Sequence, residues 1–145
     1  MTNYEKSNSV ETVAPLKLKS AAYKKLLVSE DIVERQRLSQ QLLDELNDAY
    51  GLPSASVYVF SKSRPRSEHG NRTIEKYGNY HTVSRIIRIF NLTAVRKQQV
   101  SAKSFVDTLL HEFIHHYDTY FLKIRTIHTA GFYKRISDLK SRLEN

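Results

Sequence analysis

The sequence predicts a small α+β domain, in which an N-terminal helix, a short antiparallel sheet with a β-hairpin, a histidine-bearing helix and a C-terminal helix follow one another. Two observations lead to this fold class. Apolar residues recur every three to four positions in three segments, which is the spacing of amphipathic helices. Between the first two segments lie short runs of β-branched and aromatic residues, which indicate strands. A length of 145 residues with 40% hydrophobic residues suits one domain with a modest core.

Residues 1–20 are predicted to form a flexible N-terminal arm, and residues 21–145 to form the single domain. The arm is polar, contains Pro15 and shows no apolar periodicity. It also lacks the continuous apolar core of a signal peptide. A short helix over residues 21–27 is expected to begin the domain.

The first long helix is predicted over residues 29–50. Ser29 can cap it, and the two acidic residues that follow suit the positive end of the helix dipole. Its apolar stripe consists of Ile32, Leu38, Leu42, Leu43 and Leu46. Gly51, followed by Pro53, is expected to end the helix.

Residues 57–60 are typical of a strand, because valine, tyrosine and phenylalanine favour extended backbone. Residues 61–72 are polar and basic, which indicates a loop, and residues 73–77 and 80–90 are expected to form a β-hairpin. Gly78-Asn79 suits the two-residue turn between its strands. The edge strand of such a hairpin can pair with the backbone of an extended peptide.

The second long helix is predicted to begin at a cap formed by Ser101 or Ser104. The residues expected to bury one side of it are Phe105, Leu109, Phe113 and Tyr117. Gly131 is expected to open the C-terminal helix. The apolar stripe of that helix consists of Phe132, Ile136, Leu139 and Leu143.

The second long helix carries the pattern His-Glu-x-x-His at His111, Glu112 and His115. Residues i and i+4 lie on the same face of a helix, so both imidazoles can bind one ion. The glutamate between them can hold a water molecule beside that ion and act as a general base. This combination is typical of zinc hydrolases. The competing interpretation is a polar stripe on a buried helix, which is disfavoured because such groups are costly to bury unless they are paired or bind a metal.

A catalytic zinc needs a third protein ligand and one open position. The metzincin pattern requires glycine and histidine at two positions where this chain has Asp118 and Phe121. The one glutamate downstream of the motif is Glu144, next to the last residue. His128 follows the helix, where a short loop can return it to the ion. From the residues alone, a loop histidine with no ligand role is an equally good interpretation of His128.

Residues 111–136, with the sequence HEFIHHYDTYFLKIRTIHTAGFYKRI, resemble the SprT-like (Spartan-type) zinc metalloproteases. In that family the motif is followed by a third histidine, here His128, and four positions later by an aromatic residue, here Phe132. Upstream, residues 77–80 and 85–91 resemble the glycine-turn hairpin of the family. The resemblance covers roughly residues 55–140. Thr129 stands where many members have glycine, and the chain contains no cysteine for the C-terminal zinc ribbon that many members carry.

This resemblance implies a minimal zincin-like metallopeptidase domain that binds one catalytic Zn²⁺ through His111, His115 and His128, with Glu112 as the catalytic base. It also implies a protease that acts on DNA-bound or DNA-crosslinked proteins and that is stimulated by DNA. Two alternatives stay open: a basic nucleic-acid-binding module with a structural or vestigial zinc, and a regulatory protease that cleaves one partner without any DNA role. The intact Glu112 argues against the first, because a structural zinc needs no base.

The formal net charge of +8 favours polyanionic partners such as single-stranded DNA. Solvated charges scattered over helix faces are an equally good interpretation. The basic residues form three loose clusters, namely Lys62, Arg64, Arg66 and Arg72; Arg85, Arg88, Arg96 and Lys97; and Lys123, Arg125, Lys134, Arg135, Lys140 and Arg142. Because the chain has no cysteine and no apolar run long enough to span a membrane, a cytoplasmic location without membrane contact is expected.

Two residues near the motif need a separate interpretation. His116 lies about 100° around the helix from His115, so it is expected at the surface or in the layer behind the ligands. Asp118 shares the face of His111. It is expected either to orient a ligand histidine through a hydrogen bond or to be a solvated carboxylate at the helix end.

The remaining histidines and three tyrosines are secondary candidates. Neither His69 nor His81 is expected to bind a metal, since one lies in a loop and the other near a turn. The candidate hydrogen-bond donors to an oxyanion are Tyr80, Tyr117 and Tyr133. For most of these tyrosines, core packing is the alternative role.

Overall fold

A computed structural model describes residues 1–63 and 77–145. Within those residues, the predicted mixed α+β architecture is confirmed, with five α-helices, a π-helical turn and a three-stranded sheet. The elements in chain order are α1 (Asn3–Ser9), α2 (Ala21–Leu26), α3 (Ile32–Tyr50), β1 (Ser56–Phe60), β2 (Gly78–His81), β3 (Ile86–Phe90), α4 (Ala102–Tyr117), the π-helical turn (Asp118–Leu122) and α5 (Ala130–Glu144).

Several predictions concern residues outside the described ranges. These are the strand over residues 73–76, most of the loop over residues 61–72, and the side chains of Arg64, Arg66, His69 and Arg72. Of the helices that the structure does describe, none is both long enough and apolar enough to cross a membrane.

The sheet is mixed rather than antiparallel, with strand order β1-β3-β2. β2 and β3 are antiparallel, with Tyr80 opposite Ile87, whereas β1 runs parallel to β3, with Val57 also opposite Ile87. A tight turn forces two strands to run antiparallel, but a long connection allows the chain to return in either direction. The prediction of a purely antiparallel sheet was therefore wrong for β1, because strand composition does not specify the direction of pairing.

The hairpin turn lies at residues 82–85 and not at Gly78-Asn79, which both belong to β2. Arg85 has a positive φ of 57°, and its N–H donates to the carbonyl oxygen of His81 over 2.8 Å. A glycine is needed at position 78 because of close packing and not because the chain turns there. A Cβ atom at this position would lie 2.8 Å from both the carbonyl oxygen of Arg88 and a methyl carbon of Thr108 on α4. The glycine therefore lets β2 approach the histidine-bearing helix closely.

Helix α3 covers the free edge of β1 with two glutamine side chains. The Gln36 amide accepts from the N–H of Val59 and donates to the carbonyl of Val57. Gln40, one turn later, accepts from the N–H of Val57 and donates to the carbonyl of Ala55. These amides replace a neighbouring strand, because each offers one donor and one acceptor. Edge β1 is thus closed to a peptide strand, which leaves β2 as the sheet edge on the side of α4.

Helix α3 begins at Asp31, whose carboxylate accepts from the N–H of Glu34, and not at Ser29 as predicted. The Ser29 hydroxyl donates to the carbonyl of Leu26 and accepts from the buried Arg35. The predicted end is confirmed, since Gly51 caps the helix in a left-handed conformation with φ of 65°. Both candidates are good cap residues, so local sequence did not decide between them.

The core lies between the long helices and the sheet. Its buried side chains include Leu38, Leu42, Leu43, Leu46, Val57, Ile87, Ile89, Phe105, Leu109, Phe113, Phe132 and Leu139. The predicted stripes of the three long helices are thus largely confirmed, although Ile32 and Ile136 are half-buried. Helix α4 packs against α5, β2 and β3, which places the histidine motif in the middle of the domain.

Residues 1–20 do not form the flexible arm that was predicted. Helix α1 is capped by Thr2 and packs on α5, where Ser7 is fully buried and Val13 is 1% exposed. A seven-residue helix is too short to show an apolar period, and polar contacts hold this one in place. The sequence therefore contained no signal that periodicity analysis could detect.

Candidate metal centre

Helix α4 sets the first two histidines on one face. Of the two predicted caps, Ser101 is the one used, because its hydroxyl accepts from the N–H of Ser104. His111 and His115 lie one turn apart, with ring centroids 5.1 Å from each other. His115 is 7% exposed, whereas His111 is half-buried, so this face of the helix opens toward solvent at one end.

The chain then doubles back through the π-helical turn. This turn continues α4 without a break and ends at Lys123, which adopts a left-handed conformation with φ of 56°. The N–H groups of Lys123 and Ile124 both donate to the carbonyl oxygen of Asp118, which closes the turn. π-Helical segments are rare and often mark functional sites. Here the turn reverses the chain and returns His128 to α4.

The three histidines converge on one point. The Nε2 atom of His128 lies 3.2 Å from that of His111 and 3.0 Å from that of His115. The potential ligand atoms of all three side chains lie within 4.8 Å of one another, close enough to bind one metal ion. No fourth acidic or histidine side chain joins this group among the described residues. Three protein ligands with one position left over is the composition of a catalytic rather than a structural zinc site.

Glu112 follows His111 on α4 and is fully buried. Its position follows from the close approach of β2, because a Cβ atom at Gly78 would lie 3.6 Å from the Cγ of Glu112. A buried carboxylate is in a low-dielectric environment, where its interaction with a cation is stronger than in water. Helix α4 therefore carries two of the three histidines that could bind a metal ion, with a buried carboxylate between them in the sequence.

A chain of hydrogen bonds orients His115 from behind. The hydroxyl of Thr126 donates to Asp118 over 3.0 Å, so it is the lone pair of this hydroxyl that accepts from Nδ1 of His115, 2.8 Å away. With its proton on Nδ1, His115 directs the lone pair of Nε2 toward the other two histidines. Outer partners of this kind fix the tautomer and the ring orientation of metal ligands.

Asp118 is the last acceptor in this series of hydrogen bonds. It is buried, so the expectation of a solvated carboxylate is excluded. Its side chain is fully buried and forms a bidentate ion pair with Arg135, with distances of 2.9 and 2.8 Å. Burial raises the pKa of Asp118, while the hydrogen bonds from Arg135 and Thr126 lower it. Its orienting role is indirect, because Thr126 stands between Asp118 and the ligand. The role of Thr126 was not predicted from the sequence, because no spacing pattern identifies a loop threonine that orients a histidine.

We expect Thr126→Val to weaken zinc binding by about tenfold, because valine keeps the shape of threonine and removes the acceptor for Nδ1 of His115. Competition with a chromophoric chelator measures this affinity. Thr93→Val is the matched control, since it removes a hydroxyl that accepts from Gln98 in the connection between β3 and α4. Equal zinc affinities of the two variants would contradict the orienting role of Thr126.

An aromatic wall completes the site. The fully buried ring of Phe132 lies 5.0, 4.6 and 5.1 Å from the rings of His111, His115 and His128, respectively. It restricts the rotation of all three imidazoles and excludes water from one side. Tyr133 is 44% exposed, and its ring lies 6.0 Å from His111 and 6.1 Å from His128. A molecule bound at the open side of the cluster would therefore meet Tyr133.

The other two tyrosine candidates have their hydroxyl groups engaged elsewhere. Tyr80 and Nδ1 of His116 are 2.6 Å apart, and Nε2 of His116 is 2.9 Å from the carbonyl oxygen of Pro53. His116 is fully buried, which excludes the first of its two expected positions, at the surface, and burial lowers its pKa. Tyr117 accepts from the N–H of Ala14 in the core. Both tyrosines therefore have structural roles.

The third basic cluster is largely neutralised by ion pairs. Arg135 is buried against Asp118, and the other pairs are Lys134 with Glu11, Lys140 with Asp107, and Arg142 with Asp138. Within residues 1–63 and 77–145, the other two members, Lys123 and Arg125, form no such pair and are exposed on the segment between the π-helical turn and His128. The sequence clustering therefore overstated the positive charge near the site, because it did not show which charges are paired.

Comparison of the chain with protein-family models, with curated proteins and with solved structures found no match.

Proposed function

We propose that this protein is a zinc-dependent metallopeptidase of the SprT-like, zincin-like type. The observation that carries this proposal is the convergence of three histidines, in which Nε2 of His128 lies 3.2 Å from that of His111 and 3.0 Å from that of His115, together with the buried Glu112 on α4. A tetrahedral zinc with bonds of about 2.0–2.1 Å to nitrogen requires separations of about 3.3 Å between its ligand atoms. The two separations that involve His128 are therefore close to what zinc needs, and three histidine ligands would leave one position for a water molecule or a substrate.

The protein side chains have distinct roles in the proposed reaction. When bound, the zinc ion supplies Lewis acidity, which polarises the scissile carbonyl and acidifies the attacking water. Glu112 accepts the proton of that water and transfers it to the leaving amine. Phe132 keeps water from the inner side of the site, and Thr126 keeps Nε2 of His115 directed at the ion.

Strand β2 lies beside this site and offers the peptide a place to bind. It forms the edge of the sheet next to α4, and Gly78 brings its backbone against Thr108 and close to Glu112. An extended peptide that adds to this edge would pass over the histidine cluster. Backbone pairing depends little on the side chains of the peptide, so the proposed activity is an endopeptidase of broad specificity.

The two alternative functions are a nucleic-acid-binding module and a regulatory protease without a DNA role. A nucleic-acid-binding module with a structural zinc needs no general base, so the intact Glu112 of the motif disfavours that function. A regulatory protease without a DNA role is favoured by the ion pairs that neutralise most of the third basic cluster. We propose DNA-associated proteins as substrates on the basis of the family resemblance and of the two exposed cations, Lys123 and Arg125.

Metal analysis combined with cleavage of casein and histone, with and without single-stranded DNA, tests the function. The expected result is one zinc per chain and cleavage that a chelator abolishes and added zinc restores. A chain that binds zinc and cleaves none of these proteins would favour the binding module.

We expect single-stranded DNA binding to depend on Lys123 and Arg125. Two phosphate contacts predict that log K falls with log salt with a slope of about −1.4. The double variant Lys123→Ala/Arg125→Ala should lose this dependence, as measured by a salt titration of fluorescent oligonucleotide. The control with the same net charge is Lys24→Ala/Lys25→Ala on α2, where both side chains are exposed. If both double variants bind like the wild type, Lys123 and Arg125 are not the residues that bind DNA. If the wild type does not bind at low salt, the DNA role is excluded.

A further inference from the structure

The N-terminal segment is joined to the layer behind the metal ligands by an unusual density of polar contacts. Arg135 donates from Nη1 to the carbonyl oxygens of Ser7 and Val10, each over 2.6 Å, while Nε and Nη2 hold Asp118. Nη2 also donates to the hydroxyl of Ser7 over 3.2 Å. All of the guanidinium nitrogens are thus used, and one planar group connects the backbone of the C-terminal part of α1 and its cap to Asp118, which anchors His115.

The same segment contacts the loop that carries His128. The hydroxyl of Ser7 lies 2.7 Å from that of Thr129, the residue next to His128 and the cap of α5. The side chain of Asn8 accepts from the N–H of Gly131 over 2.8 Å. Both contacts are at the start of α5, and Ser7 and Thr129 are buried. The segment therefore contacts the loop that carries His128, and it is connected through Arg135 to Asp118, which orients His115.

Further contacts fasten the end of the segment. The N–H of Val13 donates to Asp138 on α5 over 2.9 Å, and the N–H of Ala14 donates to the hydroxyl of Tyr117 on α4 over 3.0 Å. Glu11 pairs with Lys134 at the surface. The segment consequently bridges α4 and α5, the two helices whose separation decides whether His128 meets His111 and His115.

From these contacts we infer that residues 3–14 form a clasp that positions the metal ligands, with Arg135 as the positioning residue that connects the clasp to His115. When the clasp is displaced, Arg135 loses the carbonyl oxygens of Ser7 and Val10 that fix its guanidinium group against Asp118, and the loop of His128 loses its contacts with Ser7 and Asn8. Metal affinity then falls although all three ligands and Glu112 are intact. This inference rests on the proposed metal site, but it does not depend on peptidase activity.

Gly131 offers a way to displace the clasp without touching Arg135 or a ligand. A Cβ atom at this position would lie 2.3 Å from the carbonyl oxygen of Ser7 and 2.8 Å from the Cα of Asn8. Both neighbours are backbone atoms, which cannot rotate away as a side chain would. Gly131→Ala therefore forces α1 away from α5, whereas alanine itself favours the helical conformation of α5.

The test uses the full chain and measures metal binding rather than cleavage. Zinc affinity is measured by chelator competition, and the visible absorption of bound Co²⁺ reports the ligand geometry. Hydrogen exchange of residues 3–14 shows whether the clasp has been released.

Gly131→Ala is expected to release the clasp, to weaken zinc binding by about tenfold and to alter the Co²⁺ spectrum. Ser7→Ala/Asn8→Ala, which removes two clasp side chains and adds no clash, is expected to act in the same direction and decides the question if Gly131→Ala does not fold.

Two controls separate positioning from a general loss of stability. Ser137→Ala changes an exposed residue of α5, and Leu42→Ala truncates a fully buried side chain of α3. Measured well below their melting temperatures, both should retain wild-type zinc affinity and the wild-type Co²⁺ spectrum. A released clasp with unchanged affinity and spectrum would overturn the inference and leave the peptidase proposal intact. A wild-type chain that binds no zinc would overturn both.

Discussion

Replacing Glu112 with glutamine is expected to reduce peptide cleavage by at least a hundredfold while zinc content and fold are retained. The amide has nearly the same shape as the carboxylate, but it cannot accept the proton of the attacking water or return it to the leaving amine. General base catalysis by a positioned carboxylate contributes about 10²–10⁴-fold to a rate, so the loss of this one group is large. Because Glu112 is fully buried, the uncharged amide is not expected to destabilise the domain.

The matched control is Glu30→Gln, an identical change at an exposed position before α3. Casein cleavage is compared at equal zinc content, and circular dichroism establishes that the fold is unchanged. A Glu112→Gln variant that cleaves casein at the wild-type rate would exclude the proposed mechanism. A variant that has lost its zinc would instead show that Glu112 helps to hold the ion.

Replacing His128 with alanine is expected to weaken zinc binding by about a hundredfold or more. Zinc sites in proteins bind with roughly 10–16 kcal/mol from about four ligands, so each ligand accounts for about 3 kcal/mol. The remaining pair on α4, His111 and His115, would bind the ion with two extra positions open to water. Cleavage should fall with the bound zinc, and it should recover in part when zinc is supplied in large excess.

His81→Ala is the control for the His128 variant, because His81 is an exposed histidine of β2 and its Nδ1 accepts from the N–H of Ser84 in the hairpin turn. Chelator competition and metal analysis compare the two variants with the wild type. Unchanged affinity and stoichiometry in His128→Ala would show that His128 is not a ligand. Asp118 could replace His128 as a ligand only by breaking its buried ion pair with Arg135.

Much of the candidate site was accessible from the sequence because it depends on local geometry. The spacing of His111 and His115 places both on one face of any helix, whatever that helix packs against. The apolar stripes of the long helices also follow from a local period, and their leucines and phenylalanines are buried as expected. The end of α3 was predictable because Gly51 adopts a conformation that other residues avoid.

The errors concern contacts between segments that are distant in the sequence. The turn was placed at Gly78-Asn79, since glycine is common in turns, but Gly78 is needed for the close approach of β2 to α4. Arg135 was grouped with DNA-binding cations, because its buried partner Asp118 is 17 residues away. No local pattern distinguishes these roles, as they depend on which surfaces meet after folding.

By itself, the sequence determined the mixed α+β class, the three long helices, and the position of a histidine pair with a glutamate between them. It also suggested His128, but spacing alone could not bring that residue to the pair. The tertiary structure decided that the π-helical turn returns His128 to α4, that Thr126 and Asp118 orient His115, and that the first residues pack on α5. The physical reason is that helical periodicity is set by each segment alone, whereas ligand convergence and buried ion pairs arise only when remote segments exclude water from between them.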